Sequence, residues 1–283
     1  MHVPSRYGSR QDLGQNFLVD RDIIKLIRRT AQRAEGPIVD LGAGDGALTL
    51  PLSQLGRPVT AVELDPRRAR RLSARAPGNV TVVGEDILRF RLPAVPHTIV
   101  GNIPFHITTA TMRRILAAPG WVSAVLVVQW EVARRRAGIG GGSLVTAESW
   151  PWFDFSVLGR VPRFAFRPAP SVDGGILVIE RRPEPLVRER REYRDFVKQV
   201  FTGRGRGLRE ILQRTGRVPA RELSAWLRAH GVSPQALPKD LTAEQWASLW
   251  ATARGGHAAP QRHPRQRPPA RSPRTPRAPR SGG

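Results

Sequence analysis

Five short runs of β-branched and aliphatic residues recur through the first 180 residues: Ile38–Leu41, Val59–Val62, Val80–Val83, Thr98–Val100 and Ala124–Val128. Several are separated by stretches long enough for a helix, such as Ala47 to Leu55 and Thr108 to Leu116. Strands that alternate with helices bury both faces of a sheet only when the sheet is doubly wound and mostly parallel, and ligands then bind at the strands' carboxyl ends. The pattern therefore predicts an α/β fold. Two later runs, Phe153–Leu158 and Ile176–Glu180, predict a terminal hairpin on that sheet.

Beyond residue 182 the periodicity changes. Tyr193, Phe196, Val197, Val200 and Phe201 recur at helix spacing, as do Leu208, Ile211 and Leu212, then Leu223, Trp226 and Leu227. A small all-helical domain is expected over 183–254. Between its first two amphipathic stretches, Thr202-Gly203-Arg204-Gly205-Arg206-Gly207 reads equally as an RNA-contacting loop or as a plain helix connection. From Arg254 onward the chain holds eight arginines, seven prolines and no acidic residue. Such a segment buries too little surface to offset its ordering entropy, so residues 255–283 are expected to form a disordered basic tail. Residues 1–10 are read as an N-terminal arm and 11–182 as the α/β domain.

The formal net charge of +23 over 283 residues suggests a polyanionic partner, because Lys and Arg that neutralise phosphates release condensed counterions. The chain has no cysteine, which excludes a disulfide scaffold, thiolate metal sites and cysteine nucleophiles. No metal site is expected. No stretch approaches the ~18 apolar residues of a membrane helix, and Met1–Arg6 lacks the apolar core of a signal peptide, so a soluble, cytoplasmic protein is expected, with no membrane partner.

Asp40-Leu41-Gly42-Ala43-Gly44-Asp45-Gly46 follows the first strand and opens a helix. Glycines there let the backbone turn sharply and approach a ligand where a β-carbon would collide. Alone, the run is compatible with the relaxed dinucleotide fingerprint. Glu63 ends the second strand, where an acid can accept both hydroxyls of a ribose. Asp86 follows the third strand, placed to accept from an adenine amine while Ile87 covers the ring. Each acid taken singly reads as a helix cap or a solvated loop residue; together on successive strand tips they read as an adenosine site.

The fourth strand carries Asn102-Ile103-Pro104-Phe105, an Asn-x-Pro-aromatic element. The exocyclic amine of adenine is a poor nucleophile because its lone pair is delocalised into the ring. Two acceptors on its hydrogens draw it toward tetrahedral geometry and localise that pair. Asn102 offers a side-chain carbonyl and Ile103 a backbone carbonyl, Pro104 fixes φ so that they converge, and Phe105 gives an extruded base a face to stack on. His106 is read as a structural or RNA-facing residue.

In these motifs the chain resembles the rRNA adenine-N(6) methyltransferases, most closely the Erm family of macrolide-lincosamide-streptogramin B resistance enzymes. The resemblance covers about residues 8–254. It includes Gly14-Gln15-Asn16-Phe17-Leu18, the run from Val127 to Arg135, and Val161 to Val172. It implies a Rossmann-like domain that uses S-adenosyl-L-methionine, with Gln15 and Asn16 by the methionine part, the loop of Gly42 and Gly44 cradling the cofactor, Glu63 at the ribose, Asp86 and Ile87 at the adenine, and Leu18 and Asn102 also among the cofactor-binding residues. Phe166 matches a second aromatic that, with Phe105, sandwiches the target base. The implied reaction is methylation of one adenine of 23S rRNA, naked or in a pre-ribosomal particle, by a monomer that needs positioning and desolvation more than a strong base. Many relatives carry Tyr at the position of Phe105. The alternatives are a dimethyltransferase of 16S rRNA, against which Asn16 and Ile103 speak mildly, a non-catalytic RNA-binding factor, and a dinucleotide-dependent oxidoreductase, for which the Asn-Ile-Pro-Phe element has no use.

Overall fold

The computed structural model describes residues 16–255. The N-terminal arm, Gln15 and the basic tail from residue 256 lie outside the described residues. The chain opens with the two-residue strand β1 (Phe17–Leu18) and helix α1 (Arg21–Ala31), whose N terminus is capped by Asp20 accepting from the Asp22 and Ile23 amides. Two βα units follow, β2 (Ile38–Leu41) with α2 (Thr49–Ser53) and β3 (Val59–Val62) with α3 (Pro66–Ser73), and then β4 (Val80–Val83), after which the chain enters β5 (His97–Asn102) through a loop. Then come α4 (Thr108–Ala117), β6 (Trp121–Gln129), α5 (Trp130–Arg136), α6 (Leu144–Ala147), β7 (Phe153–Val161), β8 (Phe166–Arg167) and β9 (Gly174–Arg181).

Seven strands form one sheet in the order β4-β3-β2-β5-β6-β9-β7. The first five are parallel; β9 is antiparallel to both of its neighbours. The mostly parallel, Rossmann-like sheet is the one expected. The terminal pair departs from a simple hairpin, because β8 intervenes in the chain and pairs instead with β1, Leu18 opposite Phe166. Residues 17 and 18 are thereby tied to the segment around 166. Both faces of the sheet are covered, one by a cluster around Ile99, Trp121, Leu126 and Phe153, the other by one around Ile27, Ile38, Val125 and Phe166. This explains why β6 reads as a nearly continuous apolar run rather than an alternating one.

The last four helices, α7 (Arg190–Phe201), α8 (Leu208–Thr215), α9 (Ala220–Ala229) and α10 (Ala243–Ala253), enclose a core of their own built on Tyr193, Phe196, Leu212, Trp226, Trp246 and Trp250. Ala147, with Leu144, Trp150 and Trp152 against it, packs into this core from the stretch before β7, and Tyr193 Oη donates to the buried Ala147 carbonyl at 2.9 Å. The glycine-rich stretch 202–207 is the turn between α7 and α8. Its glycines are set by close packing, since a β-carbon on Gly207 would lie 2.6 Å from Gln235 Cα and one on Gly203 2.6 Å from Ile211 Cγ2. Arg204 and Arg206 stay exposed on that turn.

Candidate active site

The carboxyl ends of β2, β3, β4 and β5 converge on a cavity of about 190 Å³. Asn16, Gly42, Glu63, Asp86, Ile87 and the run Asn102-Ile103-Pro104-Phe105 all line it. Gly42 turns at φ +78°, and a β-carbon there would lie 3.3 Å from Ile87 Cδ1 and 3.6 Å from the Asn102 carbonyl oxygen. Any side chain at this position would strain the loop and occupy the space it borders.

The polar groups are held in defined orientations. Glu63 is buried, and its two oxygens accept separately, Oε2 from the Gly44 amide at 2.7 Å and Oε1 from the Asp65 amide at 2.8 Å. Each oxygen keeps a further lone pair for a ligand. Asp86 uses Oδ1 to accept from the Leu88 amide at 2.8 Å, which closes the turn that brings Ile87 to the wall. Asn102 donates through Nδ2 to the Asn16 carbonyl at 2.6 Å. The Ile103 amide donates to Val127 O at 3.0 Å, fixing the peptide that leads into Pro104.

Three of the expected residues stand apart from this cavity. Leu18 is a core residue that lines a neighbouring cavity of about 610 Å³, in which Asp40, Gly42 and Asn102 also take part. Gly44 contributes its amide to Glu63, and a β-carbon on it would meet the Phe17 ring at 3.2 Å. Phe166 is 1% exposed and meets Phe105 edge to face, with centroids 6.2 Å and planes 76° apart. The two rings therefore do not stand as parallel walls around a base-sized gap. They make the edge-to-face contact that their quadrupoles favour.

A model of the ribosomal RNA adenine dimethylase family matches residues 7–254. The chain belongs to the ribosomal RNA adenine dimethylase family. Among relatives in this family, the mycinamicin-resistance protein MyrB of Micromonospora griseorubida is 52% identical over 246 residues, covering 86% of this chain and 78% of that protein. An rRNA adenine N-6-methyltransferase of Corynebacterium diphtheriae is 51% identical over 216 residues, covering 75% and 85%. The crystal structure of the 23S rRNA methyltransferase ErmE superposes with a TM-score of 0.79 at 37% identity, covering 84% of this chain and all of that one.

Other residues of this cavity were not singled out by sequence reasoning: Phe17, Leu64, Leu88 and Ile107 complete the apolar wall. His106, read from the sequence as a structural or RNA-facing residue, is exposed at the rim. Arg68 lies 4.1 Å over the Phe17 ring and pairs with Asp45, which locks the N-terminal strand over the glycine loop. Asp40, the acid that opens the glycine run, is fully buried; Thr49 Oγ1 donates to its Oδ2 at 2.6 Å, while Oδ1 has no partner among the described residues. Burial, with a smaller push from the Glu63 charge and against the Thr49 hydrogen bond, raises its carboxyl to about 7. The signal for Asp40 was available: an acid flanked by Val39 and Leu41 in an otherwise apolar strand.

Proposed function

We propose that this protein transfers a methyl group from S-adenosyl-L-methionine to the exocyclic amine of one adenine in 23S rRNA, and so confers resistance to macrolide, lincosamide and streptogramin B antibiotics. The observation that carries the reading is the orientation of Asn102. Its NH₂ donates to the Asn16 carbonyl, which leaves the side-chain oxygen without a hydrogen-bond partner among the described residues, at the cavity that Phe105 also lines.

The residues fit the cofactor through the cradle at Gly42, which a β-carbon would fill. Glu63 accepts the ribose hydroxyls on its remaining lone pairs, Asp86 accepts from the adenine amine, and Ile87 covers the ring. Asn16 and Leu18 border the methionine part, and Gly44 holds Glu63 in place. When bound, S-adenosylmethionine supplies an electrophilic sulfonium methyl. Asn102 Oδ1 and the Ile103 carbonyl accept the hydrogens of the target amine and hold its lone pair toward the reacting methyl. Pro104, at φ −53°, sets the direction of that second carbonyl. Phe105 stacks on the base, backed by Phe166, while Leu64, Leu88 and Ile107 exclude water. The amine's proton leaves late, to a carbonyl or to water, and no strong base is required.

The substrate is rRNA. Residues 11–182 form the catalytic domain and the helices of 183–254 grip RNA; the protein acts as a cytoplasmic monomer on naked 23S rRNA or a pre-ribosomal particle. Among the described residues no helix is long and apolar enough to cross a membrane. The test is incubation with tritiated S-adenosylmethionine and naked 23S or 16S rRNA, followed by primer extension across the labelled RNA. Label at one adenine of 23S rRNA is expected. Label confined to 16S rRNA replaces the reading with a small-subunit one, and no label with no cofactor binding refutes both.

A further inference from the structure

Phe164 is 74% exposed, more than any other large apolar side chain among the described residues. It does not sit on a loose loop. The Arg163 amide donates to Asp173 Oδ1 at 2.8 Å, Asp173 Oδ2 pairs with Arg160 Nε at 2.7 Å, and the Val19 amide donates to Ala165 O at 2.8 Å. The next two residues, Ala165 and Phe166, are each 1% exposed. The backbone on both sides of the ring is thus pinned, and the ring is presented outward from a short 3-10 turn, Arg163–Ala165. A phenyl ring left in water forgoes most of the stabilisation that burial would give it.

The surroundings state what it suits. Arg163 and Arg167, one residue before it and three after it in the chain, are both exposed. A flat apolar face on a segment that also presents guanidinium groups matches a nucleobase flanked by phosphates, and an apolar protein or lipid surface would leave those two cations unpaired. Position narrows it further. Phe164 is two residues from Phe166, whose ring touches Phe105 of the cavity, so the exposed ring belongs to the short segment that backs the cavity wall. Drawing one base into the cavity leaves its neighbour in the strand with an uncovered face.

We propose that Phe164 stacks on the nucleotide adjoining the target adenine, taking the place in the stack that the extruded adenine leaves. The proposal rests on the reading of the cavity as acting on an adenine drawn out of RNA. Phe164 is then a substrate-binding residue of the rim, separate from the groups that touch the reacting amine. Its ring lowers the cost of extrusion, so its loss affects methyl transfer and leaves cofactor binding alone.

The test compares the full-length wild type with Phe164→Ala and Phe164→Trp on a 23S rRNA fragment that contains the target adenine, and on two further fragments with an abasic nucleotide on its 5′ or its 3′ side. Tritium transfer gives kcat/KM; calorimetry gives the S-adenosylmethionine affinity; 2-aminopurine at the target position reports extrusion by fluorescence. Because the side chain is exposed, Phe164→Ala is expected to keep the wild-type melting temperature. It should lower kcat/KM roughly 5- to 150-fold, abolish most of the 2-aminopurine signal and leave cofactor affinity unchanged. Phe164→Trp should retain transfer. One of the two abasic fragments should lower wild-type transfer to the level of Phe164→Ala while costing the variant nothing further. Equal activity of Phe164→Ala and wild type overturns the proposal, as does an abasic penalty of the same size in both proteins on both sides. Failure of the wild type on every fragment overturns the reading of the cavity and the role of Phe164 with it.

Discussion

The side chain of Asn102 donates to the backbone carbonyl of Asn16 at 2.6 Å, across 86 residues of sequence. One bond does two things: it fixes which end of the amide is left to accept, and it anchors the strap of residues 16–18 over the cavity. Asn102 therefore belongs both to the reacting group and to the wall that encloses it.

Replacing Asn102 separates these roles. Asn102→Ala removes the acceptor and the anchor; Asn102→Asp keeps an oxygen but sets a carboxylate against the Asn16 carbonyl. Both should lower kcat for methyl transfer by about 100-fold or more, the cost typical of removing one oriented polar group at a reacting centre. Cofactor affinity should fall only a few-fold. Tritium transfer and calorimetry measure the two effects, and turnover within twofold of wild type would remove Asn102 from the mechanism.

Glu63→Gln exchanges one carboxylate oxygen for an NH₂ that must face a backbone amide, either that of Gly44 or that of Asp65. Two donors then oppose each other in a buried site. The variant should lose about 1–3 kcal/mol of stability in urea titration as well as cofactor affinity. Weaker cofactor binding with unchanged stability would mean that the two amides find other acceptors.

Asp40 carries a pH dependence whose sign follows from its environment. Its carboxyl ionises near 3.8 in an unfolded chain and near about 7 in the fold, where burial opposes the charge. Between those values the folded state holds the extra proton, so this group's contribution to stability falls as pH rises and is level above about 7. Asp40→Asn removes the dependence. Its melting temperature relative to wild type should climb from pH 5 to 7 and then level off, as followed by circular dichroism. A difference that does not vary with pH would show that Asp40 ionises normally.

Arg182 joins the sheet to the helices. It donates to the Trp150 carbonyl at 3.1 Å and pairs with Asp154 of β7 at 2.5 Å and Glu244 of α10 at 3.8 Å, with its side chain 16% exposed. Arg182→Ala leaves the Trp150 carbonyl and two half-exposed carboxylates without their partner and should cost about 1 kcal/mol. Arg182→Lys should not restore it, because one ammonium does not reproduce the spread of the guanidinium fork. Urea midpoints of the three proteins decide the point.

The parallel sheet was legible because strands buried on both faces have to be apolar throughout, and helices α7, α8 and α9 were legible because each shows one apolar stripe. Helices α1 and α10 were not singled out, although Asp20 before the first and the Thr242/Gln245 capping box on the second mark their starts. At the site, Gly42, Glu63, Asp86 and Asn102 announced themselves as polar or glycine residues at strand tips. Phe17, Leu64 and Leu88 are ordinary apolar residues in the sequence; only the fold distinguishes a wall from a core. The edge-to-face contact of Phe105 and Phe166 depends on ring orientation across 61 residues of chain, which no linear pattern encodes.

The placement of β9 between β6 and β7 has a consequence for synthesis on the ribosome. β7 is made before β9, yet it pairs only with β9, and β6 has its second neighbour only when residues 174–181 arrive. Until then the nascent chain presents the long apolar β6 with one edge unpaired, next to a strand that has nowhere to dock. The sheet thus closes late and from the inside, and a chain that stalls before Gly174 is the form most exposed to aggregation.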